Sequence, residues 1–175
     1  MICPSCGFEN LQGLDECANC GADLRTADIP APGTGFEARM VNVPLAAVNP
    51  HAPLTIRAGA SATDAVRQMQ AAGVGCLIVE DDGDRVIGIL SERDMVMKLD
   101  GATLDGATVG QLMTPDPVVL RPDDTIAIAI HKMAVGGFRH IPLVENGRAT
   151  GIVSARDLFK HILEALGQPF LNARV

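Results

Sequence analysis

Beyond Pro53 the chain alternates short apolar runs with stretches in which apolar residues recur at helical spacing. The runs have the length and composition of buried strands and lie at residues 54–56, 76–79 and 86–90. Between the first two runs, one face of a predicted helix carries Ala65, Val66, Met69 and Ala72. A further helix is predicted to begin at Ser91, so the elements follow the order β-α-β-β-α.

The same order of elements occurs a second time along the chain. Arg57, Met69 and Gly73 recur 64 positions later as Arg121, Met133 and Gly137. After the turn between Glu80 and Gly88 the offset becomes 63. The second copy has predicted strands at residues 118–120, 141–144 and 150–153, and a helix with Ile126, Ile130, Met133 and Ala134. The expected N-caps are Ser61 and Thr125. A copy of about 50 residues is marginal alone, so we expect an α+β fold in which two β-α-β-β-α repeats pack as a pseudo-two-fold pair.

The rest of the chain divides by composition. Cysteines cluster before the repeats, and proline and glycine are frequent between the cysteines and the first apolar run. We therefore predict a ribbon at residues 1–25, a linker at 26–37, a first repeat at 38–102, a second repeat at 103–166 and a tail at 167–175. The apolar stretch 38–45 is expected to enter the main domain as an extended segment.

The cysteine cluster has the spacing of a metal site. Two Cys-x-x-Cys-Gly motifs supply Cys3, Cys6, Cys17 and Cys20. Glycine after the second cysteine permits the backbone that closes each turn, and four sulfurs in a tetrahedron select Zn²⁺. Disulfides would need an oxidising compartment, and a thioredoxin-like redox pair would need only one motif. We expect structural zinc, which contributes about 10–16 kcal/mol in such small domains, with no open position for catalysis.

Composition and charge narrow the function classes. Of 175 residues, 47% are hydrophobic but only 3% are aromatic, so the core is built from aliphatic side chains and methionine. The net charge of -7 and the lack of a Lys/Arg cluster disfavour a nucleic-acid partner. No apolar run approaches the length of a membrane span, and the first residues do not resemble a signal peptide. We therefore expect a cytoplasmic protein with no membrane partner.

The chemistry of the repeats centres on one motif, Gly-x-x-Ser-x-x-Asp, at residues 88–94 and 151–157. In a structural interpretation, Ser-x-x-Asp caps the next helix, which is worth about 1 kcal/mol and needs no ligand. In a functional interpretation, the serine and the helix N-terminus bind phosphate and the aspartate accepts the hydroxyls of a ribose. The glycine would then let a flat base approach the backbone. The spacing alone leaves both interpretations open.

The repeats resemble CBS domains, whose pairs are also called Bateman modules, over about residues 40–166. The motif in both copies carries the resemblance, together with Leu-Met-Thr-Pro at 112–115 and Phe-Arg-His-Ile-Pro-Leu at 138–143. The resemblance implies a non-catalytic regulatory module that binds AMP, ADP or ATP, or else S-adenosylmethionine or a dinucleotide, in clefts between repeats. It also implies a face-to-face homodimer. The cysteine motif resembles the zinc ribbons of many prokaryotic proteins over residues 1–24.

The resemblance also assigns roles to residues. Ribose hydroxyls would be bound by Asp94 and Asp157. Phosphate would be bound by Ser91 and Ser154, with Arg93 and Arg156 nearby, and also by Arg139 and His140. The base would be walled by Pro117, Val118 and Ile141. The first copy has Gly75 and Cys76 in place of the basic pair, so its cleft would bind a less charged ligand, bind more weakly, or stay empty.

Competing functions remain at this point. The chain offers no nucleophile–base set and no open metal position, so we expect no enzyme activity. A ligand-free interaction scaffold that docks a partner through the ribbon is one alternative. A transcription-associated regulator that uses the ribbon on nucleic acid is another, although the acidity of the ribbon counts against it. The regulated protein target is not specified by the sequence.

Overall fold

A computed structural model of the chain describes residues 3, 5–10, 14–24, 42–98 and 106–165. The strands are β1 (Thr55–Arg57), β2 (Cys76–Glu80), β3 (Val86–Ser91), β4 (Thr114–Pro115), β5 (His140–Glu145) and β6 (Arg148–Ser154). The α-helices are α1 (Ala62–Ala72), α2 (Glu92–Lys98), α3 (Val109–Leu112), α4 (Ile126–Gly136) and α5 (Ala155–Ala165). A 3-10 helix spans Leu45–Val48.

The chain forms two compact units that interleave in sequence. The sheet unit comprises Pro50–Pro122 and His140–Val153. The ribbon unit comprises Met1–Asn49, Asp123–Arg139 and Ser154–Val175. Each unit therefore draws residues from both predicted repeats, and the two are described separately below.

The sheet unit contains a four-stranded sheet in the order β1-β2-β3-β4. Strand β1 pairs with β2 in parallel, whereas β2 with β3 and β3 with β4 are antiparallel. The apolar run at the start of β2 is buried from Cys76 to Val79. A strand covered on both faces has no polar alternation, which explains the continuous run in the sequence.

The second sheet pairs β5 with β6. The predicted strand at residues 118–120 is wrong: in this segment only Leu120 forms a bridge, parallel to Leu143. Val118 and Val119 are 37% and 41% exposed, so they have no neighbouring strand to pack on. Pro122 follows two residues later and has no N–H to extend a ladder.

Helices α1 and α4 begin at the predicted N-caps and end at glycines. Ser61 and Thr125 cap α1 and α4 by accepting hydrogen bonds from Asp64 N (3.1 Å) and Ile128 N (3.4 Å). Gly73 and Gly137 end these helices with φ of 65° and 67°, a conformation that favours glycine. Among the described residues, no helix has the length and apolar character needed to cross a bilayer.

Each unit has its own buried residues. One buried cluster of the sheet unit comprises Ala62, Ala65, Met69, Leu77, Val79, Leu90, Met95, Val109 and Leu112. In the ribbon unit, Leu45, Ile126 and Leu158 are almost completely buried. Of the predicted helix-face residues, Ala72 is exposed and Ile130 is 41% exposed, so α4 leaves apolar surface uncovered.

The segment that precedes β1 belongs to the ribbon unit and is extended only in part. Pro44 has extended backbone and bridges Thr125, and Val43 accepts a hydrogen bond from Ile126 N at 3.0 Å. The chain then turns into the 3-10 helix, which buries Leu45. The rest of the predicted extended stretch, residues 38–41, lies outside the described residues.

Candidate functional site

The four ribbon cysteines converge on one point. All four sulfurs lie within 4.8 Å of one another. The Sγ atoms of Cys3 and Cys20 are 3.7 Å apart, and those of Cys6 and Cys17 are 3.6 Å apart. A tetrahedral zinc with bonds of about 2.3 Å separates its sulfurs by about 3.8 Å. These four cysteines could therefore hold a metal ion with little movement.

Two similar turns hold these cysteines. Gly7 N donates to Cys3 O and Gly21 N donates to Cys17 O, each at 2.9 Å. Both glycines have positive φ, 71° and 69°, as the Cys-x-x-Cys-Gly pattern predicts. Asn10 adds a contact that the sequence did not reveal: its amide donates to Cys17 Sγ at 3.5 Å and its carbonyl accepts from Ala18 N at 2.9 Å.

The pKa values of the ribbon thiols are shifted in opposite directions. Burial favours the neutral form of Cys17, but hydrogen bonds from the backbone of Cys20 and Asn19 outweigh it and lower the pKa of Cys17 to about 6. A backbone bond from Ala22 favours the Cys20 thiolate, but the neighbouring Cys6 sulfur and burial outweigh it and raise the pKa of Cys20 to about 12. Four crowded thiols cannot all ionise without a cation, and a divalent ion supplies that charge.

The two Ser-x-x-Asp motifs fold alike. Asp94 Oδ2 accepts hydrogen bonds from Ser91 N (2.9 Å) and Ser91 Oγ (2.5 Å), while Ser91 Oγ accepts from Asp94 N (3.3 Å). Asp157 and Ser154 make the same three bonds at 2.8, 2.6 and 3.3 Å. The reciprocal bonds cap α2 and α5, as the structural interpretation predicts. They also fix a carboxylate at the start of each helix.

The carboxylate of the first motif has two further partners. Thr114 Oγ1 donates to Asp94 Oδ1 at 2.8 Å, and Lys98 Nζ lies 3.0 Å from the same oxygen. Partial burial opposes ionisation of Asp94, but the bonds from Ser91, Thr114 and Lys98 lower its pKa below the ordinary value. The i,i+4 spacing of Lys98 was visible in the sequence, whereas the contact with Thr114 depends on strand β4.

In each motif a backbone hydrogen bond joins the start of the helix to the residue that precedes the neighbouring strand. Glu92 N donates to Gly75 O at 3.0 Å, and Ala155 N donates to Arg139 O at 2.9 Å. Arg139 therefore lies beside the start of α5, next to Ser154, and glycine occupies the corresponding place in the first copy. Arg139 is exposed and His140, the first residue of β5, is half-buried.

The remaining predicted site residues have varied environments. Arg93 and Arg156 are exposed in the first turns of α2 and α5. Pro117 is half-buried and Val118 is 37% exposed, both after β4, and Ile141 is fully buried in β5. Their roles in ligand binding stay predictions.

The glycine of the motif has a packing role in the first copy. A Cβ on Gly88 would lie 2.5 Å from Met113 Sδ and 3.2 Å from the backbone oxygen of Thr114. Gly88 pairs with Pro115 across β3 and β4. The close approach predicted for a ligand base is thus made here by the chain itself.

Comparison with known proteins identifies the class to which these folded motifs belong. The CBS domain family model matches residues 46–101 and 109–164. The chain therefore belongs to the CBS-domain family and carries two tandem CBS domains, as the sequence resemblance implied. The predicted bounds of the ribbon, linker, repeats and tail stay predictions.

Two relatives illustrate the family. An uncharacterized 17.7 kDa protein of Acidianus ambivalens is 34% identical over 110 residues, which are 62% of this chain and 66% of the relative. The CBS domain-containing protein CBSCBSPB2 of Arabidopsis thaliana is 30% identical over 117 residues, which are 66% of this chain and 21% of the relative. The match thus spans only about a fifth of the Arabidopsis protein.

Solved structures share the fold. The CBS-domain containing protein ATU1752 from Agrobacterium tumefaciens is 29% identical, with a TM-score of 0.64 over 68% of this chain and 98% of its own. CBSX2 in complex with AMP is 22% identical, with a TM-score of 0.61 over 70% and 97%. The domain pair of protein MJ0100, with 5′-methylthioadenosine and S-adenosyl-L-methionine, is 19% identical, with a TM-score of 0.63 over 68% and 98%.

Proposed function

We propose that the chain is a non-catalytic regulatory module that senses an adenine nucleotide, AMP, ADP or ATP, through its CBS domains. The observation that carries the proposal is the second motif, where Asp157 and Ser154 are held at the start of a helix beside Arg139. This arrangement offers a carboxylate that can accept hydrogen bonds from ribose hydroxyls. It also offers a hydroxyl and a cation that can bind phosphate. We propose that the chain regulates a separate protein target, as the sequence resemblance implies.

Each residue of the second motif has a distinct role in this proposal. The carboxylate of Asp157 accepts hydrogen bonds from the ribose. The Ser154 hydroxyl donates to Asp157 at 2.6 Å in this structure, and on ligand binding it turns to donate to phosphate near the N-terminal end of α5. Arg139 and His140 supply positive charge and donors for the phosphate, with Arg156 nearby. Pro117, Val118 and Ile141 are the proposed apolar contacts of the base.

The solved relatives support the ligand class. Two domain pairs with this fold carry adenosine compounds, AMP in CBSX2 and 5′-methylthioadenosine with S-adenosyl-L-methionine in MJ0100. The three compounds share the adenosine group and differ in charge at the 5′ position. We infer adenine nucleotides for this chain because Arg139 and His140 favour a phosphate over a sulfonium or a neutral thioether.

A thermal-unfolding panel tests the proposal. The zinc-loaded protein is heated with AMP, ADP, ATP, NADH or S-adenosylmethionine. A ligand at one hundred times its Kd stabilises the folded state by about 2.7 kcal/mol, so the melting temperature rises by roughly 5–10 °C. We expect the rise with an adenine mononucleotide.

The matched variant is Asp157→Asn, which keeps an acceptor for the helix cap but removes the charge that the ribose hydroxyls face. Ligand affinity should fall by roughly tenfold or more, because a hydrogen bond to a charged group contributes about 1.5–3 kcal/mol. The melting temperature without ligand should change little. If no compound raises the melting temperature, the proposal fails and a ligand-free interaction scaffold becomes the better explanation.

We also propose that Cys3, Cys6, Cys17 and Cys20 bind one structural Zn²⁺. The donor set supports zinc, because four thiolates at tetrahedral separations suit this ion and leave no open position. Among the described residues of the ribbon, the buried cluster of Cys3, Cys17 and Leu24 is small, which supports a metal as the group that holds the segment folded.

A homodimer is the third part of the proposal. Helices α4 and α5 leave an apolar groove of about 260 Å³, lined by Ile130, Met133, Ala134, Phe138, Ala155, Leu158, Phe159 and Ile162. Phe159 is 64% exposed and Val135 is 53% exposed. Contiguous apolar surface of this kind marks interaction sites, and we propose a second copy of the chain as its occupant. The surface belongs entirely to the ribbon unit.

A further inference from the structure

An ion pair joins the ribbon to the second CBS domain. Lys132 Nζ on helix α4 donates to Asp15 Oδ1, which lies 117 residues earlier in the chain. Lys132 is the single Lys, Arg, Asp or Glu in the sequence of α4. Its side chain is only 10% exposed, whereas that of Asp15 is 56% exposed. A lysine removed from water to this extent needs an anion beside it, because an unpaired buried charge is costly.

The fold of the ribbon fixes the position of Asp15. Its carbonyl oxygen accepts a hydrogen bond from Leu24 N at 2.7 Å. The next residue, Glu16, forms an antiparallel bridge with Asp23. Cys17 follows two residues after Asp15 and is buried together with Leu24. The carboxylate that pairs with helix α4 thus belongs to the same small hairpin as a proposed zinc ligand. A ribbon that unfolded without its metal would carry this carboxylate away from α4.

The matching residue of the first repeat makes a different contact. Gln68 has the same place in α1 that Lys132 has in α4. The Gln68 amide donates to Thr55 O at 3.2 Å and so bonds to strand β1 of its own repeat. The repeat fold therefore does not itself require a lysine at this position, and the contact with the ribbon gives the lysine of the second repeat a physical reason.

Helix α4 connects the ribbon contact to the proposed phosphate site. The helix is capped by Gly137, whose N–H donates to Met133 O at 2.9 Å, and Arg139 follows two residues later. Arg139 O accepts a hydrogen bond from Ala155 N at the start of α5, also at 2.9 Å. All of these residues belong to the ribbon unit. A loosened α4 would therefore affect Arg139 through a short, hydrogen-bonded stretch of chain.

We propose that the ribbon docks on helix α4 through Asp15 and Lys132, and that metal loading of the ribbon thereby regulates nucleotide binding at the second motif. This inference rests on the proposed function and assigns it a regulator, the metal content of the ribbon. The loaded ribbon keeps α4 ordered, and loss of the metal removes the carboxylate from Lys132 and loosens the helix. By thermodynamic linkage, a bound nucleotide strengthens metal binding by the same factor.

Amide hydrogen exchange of the full chain tests the docking without any nucleotide. The reduced protein is compared with zinc bound and after a chelator has removed the metal. We expect removal to speed exchange several-fold in α4 and much less in α1 of the sheet unit. Zinc-loaded Lys132→Met should already exchange fast in α4, whereas Lys160→Met should not, because Lys160 makes an exposed contact with Glu164 at 3.9 Å. Exchange in α4 that ignores the metal, or that rises equally in α1, would overturn the inference.

A charge swap tests the two residues themselves. Lys132→Glu should exchange as fast in α4 as Lys132→Met, because it places two carboxylates side by side. Addition of Asp15→Lys to Lys132→Glu should restore slow exchange, since the pair forms again with its charges reversed. Zinc content at saturating zinc should match that of wild type in every variant, because the four cysteines are unchanged. A folded, zinc-loaded swap variant that still exchanges fast in α4 would contradict the pairing.

Isothermal titration with AMP tests the regulation. Removal of zinc from wild type should weaken AMP binding by roughly fivefold or more, whereas Lys132→Met should bind AMP equally weakly with and without zinc. Equal AMP affinity of loaded and stripped wild type would overturn the regulation, even if exchange in α4 depends on zinc. If AMP does not bind at all, the proposed function fails, and hydrogen exchange still decides the docking. A chain that takes up no zinc would overturn this inference and the zinc site but not nucleotide binding.

Discussion

At the scale of single residues, two short turns of the ribbon hold the four cysteine sulfurs close together. In each Cys-x-x-Cys turn a glycine N–H donates a backbone hydrogen bond to the first cysteine: Gly7 to Cys3 O and Gly21 to Cys17 O. Asn10 braces the second turn by bonding both Cys17 and Ala18. The four sulfurs thus lie close together, and their mutual repulsion as thiolates opposes full ionisation.

Metal removal is the prediction at this scale. Elemental analysis should find one zinc per chain, and Cys20→Ser should lose most of it. Because structural zinc supplies about 10–16 kcal/mol to such domains, the stripped ribbon should become sensitive to proteases. Cys76→Ala is the matched control, since Cys76 is buried outside the cluster. Full zinc content in Cys20→Ser would rule out a four-cysteine site.

At the scale of elements, each repeat contributes residues that pair with a strand of the other repeat. Strand β4 opens the second repeat, yet Thr114 and Pro115 pair with Ile89 and Gly88 of β3 in the first. His51 precedes β1 in the first repeat and bridges Ile152 of β6 in the second. The glycines of the two motifs, Gly88 and Gly151, provide the space for these crossing segments.

Substitution of this glycine tests the crossing. Gly88→Ala would place a Cβ 2.5 Å from Met113 Sδ and 3.2 Å from a backbone oxygen. We expect a loss of about 1–3 kcal/mol, as for other overpacked sites, measured by urea unfolding of the ligand-free protein. Gly59→Ala is the control, because no atom lies within 4 Å of its Cβ position. Equal stability of the two variants would contradict the packing role.

At the scale of the whole molecule, neither repeat completes its sheet without the other. This exchange explains why the compact units do not coincide with the sequence repeats. It also gives a physical reason for the tandem arrangement, because a lone repeat would leave an unpaired edge and a core of marginal size. The apolar surface of α4 and α5 remains for association with a second chain.

Association through this surface predicts a defined mass. Sedimentation equilibrium should give about twice the 18.3 kDa of one chain. Phe159→Glu should shift the protein towards the monomer, since a charge at the centre of an apolar contact is costly to bury. Phe8→Glu changes a 45% exposed residue of the ribbon and should leave the dimer intact. A monomeric wild type would refute this part of the proposal.

Much of the fold was predictable because the signals are local. The caps at Ser61 and Thr125, the buried run of β2 and the reciprocal Ser-x-x-Asp bonds all depend on residues close in sequence. The strand expected at residues 118–120 failed because pairing depends on a neighbour, and only Leu120 has one. Apolar composition alone does not report whether a partner strand is present.

The sequence by itself determined the repeat, the four clustered cysteines and the two motifs, since each is a pattern of spacing that local backbone geometry enforces. Only the tertiary structure decided what each motif contacts. Lys98 and Asp94 are one helical turn apart, but Thr114 and the carbonyls of Leu112 and Met113 reach them through the crossing of β4. The sequence therefore shows the Ser-x-x-Asp bonds, whereas long-range pairing decides which groups from other elements lie beside the carboxylate of Asp94.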